Sequence, residues 1–180
     1  MNFEHIFKEI SPEELLDNVF ILAGKEPYVV SAGKKAKYNS MVGSGGGMGF
    51  LFKKPGTWCI FQQGRYTLEL VMEEQTYTIA YFPSEYKKQM MFLGSKSGRG
   101  TDKMKEVELR CIQMPSGNIS FEEARLILEC KLVQVTTPAP SDFYSEEAKD
   151  WINEMYKDPR EFRKYVFGEI THTWVKNTRL

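Results

Sequence analysis

The sequence predicts a mainly β domain, a β-barrel or sandwich with helical embellishments. Many short β-rich runs are interrupted by helical segments that do not alternate regularly with them, which disfavours a parallel doubly wound sheet. The 180 residues are 42% hydrophobic and 13% aromatic, enough to bury one substantial core. No linker or internal repeat divides them, so we expect a single domain over residues 1–180.

The first predicted element is a short helix that begins at Ser11. Ser11 is a capping residue, Pro12 takes the first helical position and Glu14 the third, which is the pattern of a capping box. Apolar residues then recur at helical spacing from Leu15 to Phe20. The pattern predicts one helix through this segment.

The central part of the chain predicts strands. The clearest strand alternates, with Tyr77, Ile79 and Tyr81 on one face and smaller residues on the other. The five predicted strands cover residues 28–30, 37–42, 50–52, 57–61 and 76–82.

The remaining elements mix helices with strands. Gly94 is predicted to stop the second of the helices, because glycine commonly ends a helix. The predictions are helices over 67–74 and 84–93, strands over 107–113 and 124–135 about a turn at 115–118, an amphipathic helix over 145–157 and a strand over 165–175.

Charge and residue usage disfavour several functional classes. The 24 Lys and Arg residues balance 24 Asp and Glu residues, so no global positive field attracts nucleic acid. A nucleotide-binding or nucleic-acid-binding barrel that uses the lysines of residues 34–37 and 53–54 stays an alternative. With only two histidines and no paired ligand spacing, no metal site is expected. No GxGxxG or Walker A sequence supports a dinucleotide or nucleoside-triphosphate fold.

The cysteines indicate a reducing compartment. Cys59, Cys111 and Cys130 form no CxxC pair and cannot all be paired within one chain. The first ten residues lack the apolar core of a signal peptide, and the longest apolar runs are too short to span a bilayer. We therefore expect a cytoplasmic protein that is not in a membrane.

A glycine-rich stretch is the most unusual feature of the sequence. It follows Asn39-Ser40-Met41, and it places five of the fourteen glycines within residues 43–49. Glycine permits positive φ angles and a close approach of the backbone to a ligand. A flexible hairpin loop is the alternative interpretation.

Two further segments are suited to binding an anion. Arg65, Tyr66 and Thr67 stand where a predicted strand passes into a predicted helix, whose start offers free N–H groups beside an arginine and a hydroxyl. Residues 95–103 collect hydroxyls, cations and glycines, a composition that fits a phosphate clamp. The alternatives are that Thr67 only caps the helix and that residues 95–103 form a solvated basic loop.

The order of these motifs resembles the flavin reductase-like family, which includes flavoredoxin. The resemblance extends from about Ser11 to Val175. Its amino-terminal motifs are Asn39-Ser40-Met41, the glycine-rich stretch ending in Lys54-Pro55, Arg65-Tyr66-Thr67, Gly94, and Ser97-Gly98-Arg99 with Asp102-Lys103. Its carboxyl-terminal motifs are Phe121-Glu122-Glu123-Ala124-Arg125, Glu129-Cys130 and Gly168-Glu169-Ile170.

This resemblance implies a split β-barrel that binds FMN without a covalent link. The resemblance also implies a homodimer, with the flavin sites near the subunit interface. By analogy, Asn39, Ser40 and Met41 would lie against the isoalloxazine and ribityl chain, and the second and third motifs would hold the phosphate. The cofactor-binding residues expected in those two motifs are Arg65, Tyr66, Thr67, Ser97, Arg99 and Lys103.

The resemblance also implies an NAD(P)H-dependent oxidoreductase that passes hydride from nicotinamide to the flavin. The sequence does not distinguish NADH from NADPH, and it identifies neither a catalytic residue nor the acceptor, which could be a redox partner protein. Where relatives commonly carry Thr and His, this chain has Val42 and Arg163. The alternative is an FMN-binding module that relays electrons or stores FMN without catalysis.

Overall fold

The computed structural model describes residues 3–100 and 102–177. The strands are β1 Phe7–Ile10, β2 Tyr28–Lys34, β3 Lys37–Gly43, β4 Gly47–Leu51, β5 Lys54–Gln62, β6 Thr76–Tyr81, β7 Cys111–Gln113, β8 Ile119–Phe121, β9 Leu126–Thr136 and β10 Arg163–Lys176. The helices are α1 Phe3–Ile6, α2 Val19–Gly24, α3 Tyr66–Glu74, α4 Lys87–Ser95, α5 Lys103–Glu106 and α6 Glu146–Met155. Short 3₁₀ turns cover Pro12–Glu14, Ser84–Tyr86, Pro140–Asp142 and Pro159–Glu161. No helix in the described ranges is long and apolar enough to cross a membrane.

Eight strands form one antiparallel sheet. Its order is β3-β2-β6-β9-β10-β5-β4, and β1 also pairs with β10. β7 and β8 form a separate antiparallel pair. The predicted mainly β class with helical additions is therefore confirmed, and β3 lies at one end of the sheet order.

The two faces of the sheet bury separate parts of the core. The predicted alternation of β6 is confirmed, because Tyr77, Ile79 and Tyr81 pack in one cluster and Ala80 packs in the other. Helix α3 contributes to the first cluster, whereas α4 contributes to the second. Both helices also contact β3. The edge strand β3 thus lies between two helices that cover opposite faces of the sheet.

The prediction of one continuous helix from Ser11 to Phe20 is wrong, because the segment forms a 3₁₀ turn and a separate helix. The capping box forms, since the Ser11 amide donates to a Glu14 carboxylate oxygen at 2.7 Å, but it begins only one 3₁₀ turn. Leu15 is extended, and a second cap begins α2, where the Asn18 side chain accepts the Phe20 amide at 2.9 Å. The competing asparagine cap breaks the segment in two.

Three other boundaries differ from the sequence predictions. Gly94 does not stop its helix: it lies inside α4, which continues to Ser95 and ends where Lys96 becomes extended. Residues 107–110 are not a strand, because the Val107 amide closes the last turn of α5 on the Lys103 carbonyl. Phe52 falls in the tight turn between β4 and β5.

That tight turn holds two residues in an uncommon backbone conformation. Phe52 has a φ of 53° and Lys53 a φ of 67°, in the left-handed region that glycine and asparagine prefer. The turn exposes 67% of Phe52, and the adjacent Phe50 is 71% exposed. The hairpin therefore presents two aromatic side chains to solvent.

Candidate functional site

The candidate site is a polar cavity of about 140 Å³ beside β3. Three segments meet there: β3 itself, the turn into α3, and the end of α4 with the loop that follows it. Helix α5 adds one residue, Lys103. The lining residues are Asn39, Met41, Val42, Gly64, Arg65, Tyr66, Thr67, Leu93, Gly94, Lys96, Ser97, Gly98 and Lys103.

The fold brings together seven of the nine residues predicted to bind a cofactor. They are Asn39, Met41, Arg65, Tyr66, Thr67, Ser97 and Lys103. Residues 39–42, 64–67 and 93–98, which are distant from one another in the chain, thus converge on one cavity. Most of the other lining residues belong to the same motifs, and Gly64, with a φ of 79°, makes the turn before Arg65.

Two predicted residues do not line this cavity. The side chain of Ser40 is fully buried, and its hydroxyl is hydrogen-bonded to the Ser31 hydroxyl of the paired strand at 2.7 Å. Arg99 instead forms an ion pair with Glu69 and donates to the Gly64 carbonyl at 3.2 Å. Its guanidinium lies 5.5 Å from the centre of the Tyr66 ring. Arg99 therefore supports the wall of the site from outside.

Lys103 is a buried cation at the cavity wall. Its side chain is only 2% exposed, and the ammonium donates to the carbonyls of Leu93 and Lys96, each at 2.8 Å. Leu93 lies in the last turn of α4, where the negative end of the helix dipole favours a cation. No described carboxylate forms an ion pair with Lys103. Burial, together with a smaller contribution from the nearby charge of Arg65, lowers the pKa of Lys103 to about 8.

Arg65 places a second cation at the same cavity. It is the residue before the first turn of α3, and its guanidinium donates to the Gln62 side-chain oxygen. Like Lys103, it forms no ion pair with a carboxylate in the part of the chain described. Two cations beside one polar cavity repel each other unless an anion lies between them.

The start of α3 adds hydrogen-bond donors. The amides of Leu68 and Glu69 bond to the Arg65 carbonyl, whereas those of Tyr66 and Thr67 have no acceptor among the described residues. Such free amides at a helix start favour an anion. The Thr67 hydroxyl accepts a hydrogen bond from the Asn39 side chain at 2.8 Å, which leaves the hydroxyl hydrogen available to a ligand.

Gly98 allows the loop after α4 to approach β3 closely. A Cβ atom at this position would lie 2.1 Å from the side-chain oxygen of Asn39, a distance that no real contact shows. Glycine is therefore required for the loop to close the cavity over Asn39. The sequence analysis identified Gly98 only as part of the Ser97-Gly98-Arg99 motif. The sequence alone does not show that this glycine packs against Asn39.

The arrangement suits a phosphate group. It combines two cations, two free amides and a hydroxyl, which are the donors that phosphate oxygens accept. A volume of about 140 Å³ is below the range of roughly 300–1,000 Å³ typical of whole small-molecule sites. The cavity thus fits the anionic end of a larger ligand, whose remainder would extend beyond it. No group of three potential metal-ligating side chains occurs in the described ranges.

Comparison with known proteins identifies the family and the fold of the chain. The model of the flavin reductase like domain matches residues 27–180. A solved structure of an FMN-binding protein from Thermus thermophilus with bound p-hydroxybenzaldehyde is similar, with a TM-score of 0.66, 17% identity, and coverage of 95% of this chain and 83% of that chain. No curated protein matches the chain significantly.

Two other solved structures show the range of proteins with this fold. Flavoredoxin from Methanosarcina acetivorans has a TM-score of 0.64 and 18% identity, over 95% of this chain and 78% of that chain. The 2-nitrobenzoate 2-nitroreductase of Pseudomonas fluorescens has a TM-score of 0.60 and 16% identity, over 93% of this chain and 76% of that chain. At these identities the likeness shows the fold, which in a further similar structure is called a split barrel domain.

Proposed function

This chain belongs to the flavin reductase like domain family, and from that premise we propose that it is an FMN-binding oxidoreductase. In this proposal NADH or NADPH delivers hydride to the bound FMN, and the electrons then leave to an acceptor. The observation that carries the proposal is the buried ammonium of Lys103, which faces a polar cavity together with Arg65 and has no described carboxylate partner.

The residues present fit the phosphate of FMN. Lys103 and Arg65 would neutralise its charge, and the free amides of Tyr66 and Thr67 would donate to its oxygens. Asn39 holds the Thr67 hydroxyl in position through its 2.8 Å hydrogen bond. These groups are fixed by two helices and an edge strand, so the site is preorganised before a ligand arrives.

The chain's own contribution to the reaction would be binding and orientation. A bound flavin supplies the hydride-accepting chemistry, so no protein acid or base is required for hydride arrival. Met41 and Val42 line the cavity on β3 and would lie against the part of FMN that extends from the phosphate. Arg163 does not line the cavity, and it pairs with Glu161 at 3.4 Å.

An electron-relay or FMN-storage module is the second candidate function. One observation favours it: two flavoredoxins are among the similar structures. Steady-state oxidation of NAD(P)H by the FMN-loaded protein distinguishes the two functions.

We also propose that the protein acts as a homodimer. Six apolar residues, here called the apolar patch, are exposed on α2, the segment before it, and the β4–β5 hairpin: Leu16, Val19, Phe20, Ile21, Phe50 and Phe52. Val19 and Phe50 line one groove, so the two segments adjoin. Exposed apolar patches of this kind mark interaction sites. Analytical ultracentrifugation should show a dimer that Phe20→Glu dissociates, and a monomeric wild-type protein would refute this part of the proposal.

The compartment in this proposal is the cytoplasm. Cys59, Cys111 and Cys130 are all free thiols, as expected in a reducing environment.

An anaerobic spectroscopic titration tests the proposed function. The purified protein is titrated with FMN while the visible flavin absorption and fluorescence are recorded, and NADH or NADPH is then added without oxygen. Binding followed by bleaching of the flavin band supports the reductase. Binding without bleaching favours the relay or storage module, and a failure to bind FMN refutes both.

A further inference from the structure

We propose that a cavity at the beginning of α4 binds a small aromatic carboxylate. We call it the distal cavity, because Ser84, Lys87 and Met90 line it, at the opposite end of the helical segment from the polar cavity that Lys103 lines. Its volume of about 370 Å³ lies within the roughly 300–1,000 Å³ typical of small-molecule sites. No residue lines both cavities, so the inference does not depend on the proposed function.

The distal cavity lies at one end of the sheet. Glu26 and Pro27 precede β2, Phe82 follows β6, and Arg125 precedes β9. Because β6 pairs with both β2 and β9, these three segments are neighbours. The 3₁₀ turn and the first turn of α4 close the remaining side. The cavity is therefore bounded by regular elements of the fold rather than by a long loop.

One part of the wall of the distal cavity is apolar and belongs to the core. Phe82 and Met90 are both buried in the second cluster. The ring of Phe82 lies edge to face with that of Tyr86, with 6.2 Å between the ring centres, so its orientation is set before a ligand arrives. Pro27 and Pro83 add apolar surface on a restricted backbone. A flat apolar body, such as an aromatic ring, fits against such a wall.

The other part of the wall offers a cation without an ion-pair partner. Arg125 pairs with Glu26 at 2.7 Å and with Asp17 at 2.7 Å, so these charges already satisfy one another. Lys87 forms no ion pair with any described residue, and the hydroxyl of Ser84 adds a hydrogen-bond donor. An anionic group would gain a charge-assisted contact with Lys87, whereas a cationic group would have to compete with Arg125 for Glu26.

These two parts of the wall together define the class of ligand. The apolar part favours a planar hydrocarbon body, and the polar part favours a hydrogen-bond acceptor with negative charge at one end. A carboxylate has two oxygens, which can accept from the ammonium of Lys87 and the hydroxyl of Ser84 at the same time. An aromatic amine has the same body with the opposite charge, so it serves as the comparison compound.

Calorimetric titration with sodium benzoate at low ionic strength tests the inference, with benzylamine as the comparison. The protein is first saturated with FMN, so that benzoate does not bind in the polar cavity of Lys103. Lys87→Ala removes the cation, and the matched control is Lys88→Ala, since Lys88 is exposed on the same helix and outside the distal cavity. Ser84→Trp fills the cavity with a large side chain from an exposed position, and thermal unfolding verifies that each variant is folded.

We expect saturable binding of benzoate that is tighter than that of benzylamine. Lys87→Ala should weaken it by about fivefold, which is the upper end for an exposed charge pair, whereas Lys88→Ala should leave it unchanged. Ser84→Trp should abolish it.

Three results would overturn the inference: wild-type protein that does not bind benzoate, a Ser84→Trp variant that binds it as the wild type does, or equal affinities in the two lysine variants. Benzylamine that binds as tightly as benzoate also overturns it, by assigning the cavity to a cation held by Glu26. The affinity for FMN is measured separately, so a failure of this inference is distinguishable from a failure of the proposed function.

Discussion

Replacement of Lys103 by methionine should separate FMN binding from folding. Methionine keeps the unbranched shape of the buried side chain, which it shortens by one atom, but removes its charge. A charge-assisted hydrogen bond to phosphate contributes about 1.5–3 kcal/mol, so Lys103→Met should weaken FMN binding by about tenfold to a hundredfold. The exposed Lys88 of α4, outside the cavity, provides the control Lys88→Met, for which we expect no change.

The same replacement should leave the stability of the FMN-free protein nearly unchanged. Lowering the pKa of Lys103 from 10.5 to about 8 corresponds to about 3 kcal/mol of unfavourable burial and repulsion by Arg65 at neutral pH. Methionine removes that cost but leaves the carbonyls of Leu93 and Lys96 without their donor, which costs about 1–3 kcal/mol. Because the unfolded chain binds the proton more tightly, wild-type stability should rise with pH between about 8 and 10.5, and this rise should be absent in Lys103→Met.

Fluorescence titration with FMN and thermal unfolding of the FMN-free protein measure the two effects. An FMN affinity equal to that of the wild type would show that Lys103 does not contact the phosphate and would refute the reasoning. A large loss of thermal stability together with weaker binding would instead assign Lys103 a structural role.

Three other perturbations test the same site. FMN affinity should fall about tenfold between pH 7 and pH 9, because the ammonium of Lys103 loses its proton near pH 8, and calorimetric titration of wild type and Lys103→Met should show the decrease only in the wild type. Thr67→Val should lower the free energy of unfolding by about 1–3 kcal/mol, since it leaves the buried amide of Asn39 without its acceptor, and it should also weaken FMN binding. Urea unfolding measures the stability, and a free energy of unfolding equal to that of the wild type would contradict this expectation. Gly98→Ala should reduce FMN affinity because its Cβ would collide with Asn39, whereas Gly24→Ala, which meets nothing within 4 Å, should not; equal affinities would show that the loop can move aside.

The sequence was sufficient to predict features that depend on local patterns. The alternation of Tyr77, Ile79 and Tyr81 specified a strand and its buried face, because side chains on a strand change sides at every residue. The site motifs around Arg65 and Lys103 were also recognisable, since their cations and hydroxyls stand beside glycines and a helix start.

Features that depend on distant partners could not be predicted. Arg99 belongs to a basic loop in the sequence, but Glu69 pairs with it across 30 positions of the chain. Ser40 lies between two cavity-lining residues, yet the register of β3 against β2 directs its hydroxyl to Ser31. The burial of Lys103 is likewise invisible in the sequence, because it arises only when the end of α4 folds over α5.

The β4–β5 turn links the fold of one chain to the homodimer proposed above. Holding Phe52 and Lys53 in the left-handed region costs of order 1–3 kcal/mol for each residue, and an Asn-Gly pair would avoid most of that cost. Such a substitution would also delete one aromatic side chain of the apolar patch. At these two positions, the residues that would stabilise the hairpin are therefore not the residues that present an apolar surface to solvent. An engineer who optimised this turn for the isolated chain would be selecting against the proposed homodimer, so turn libraries should be screened for stability and for self-association together.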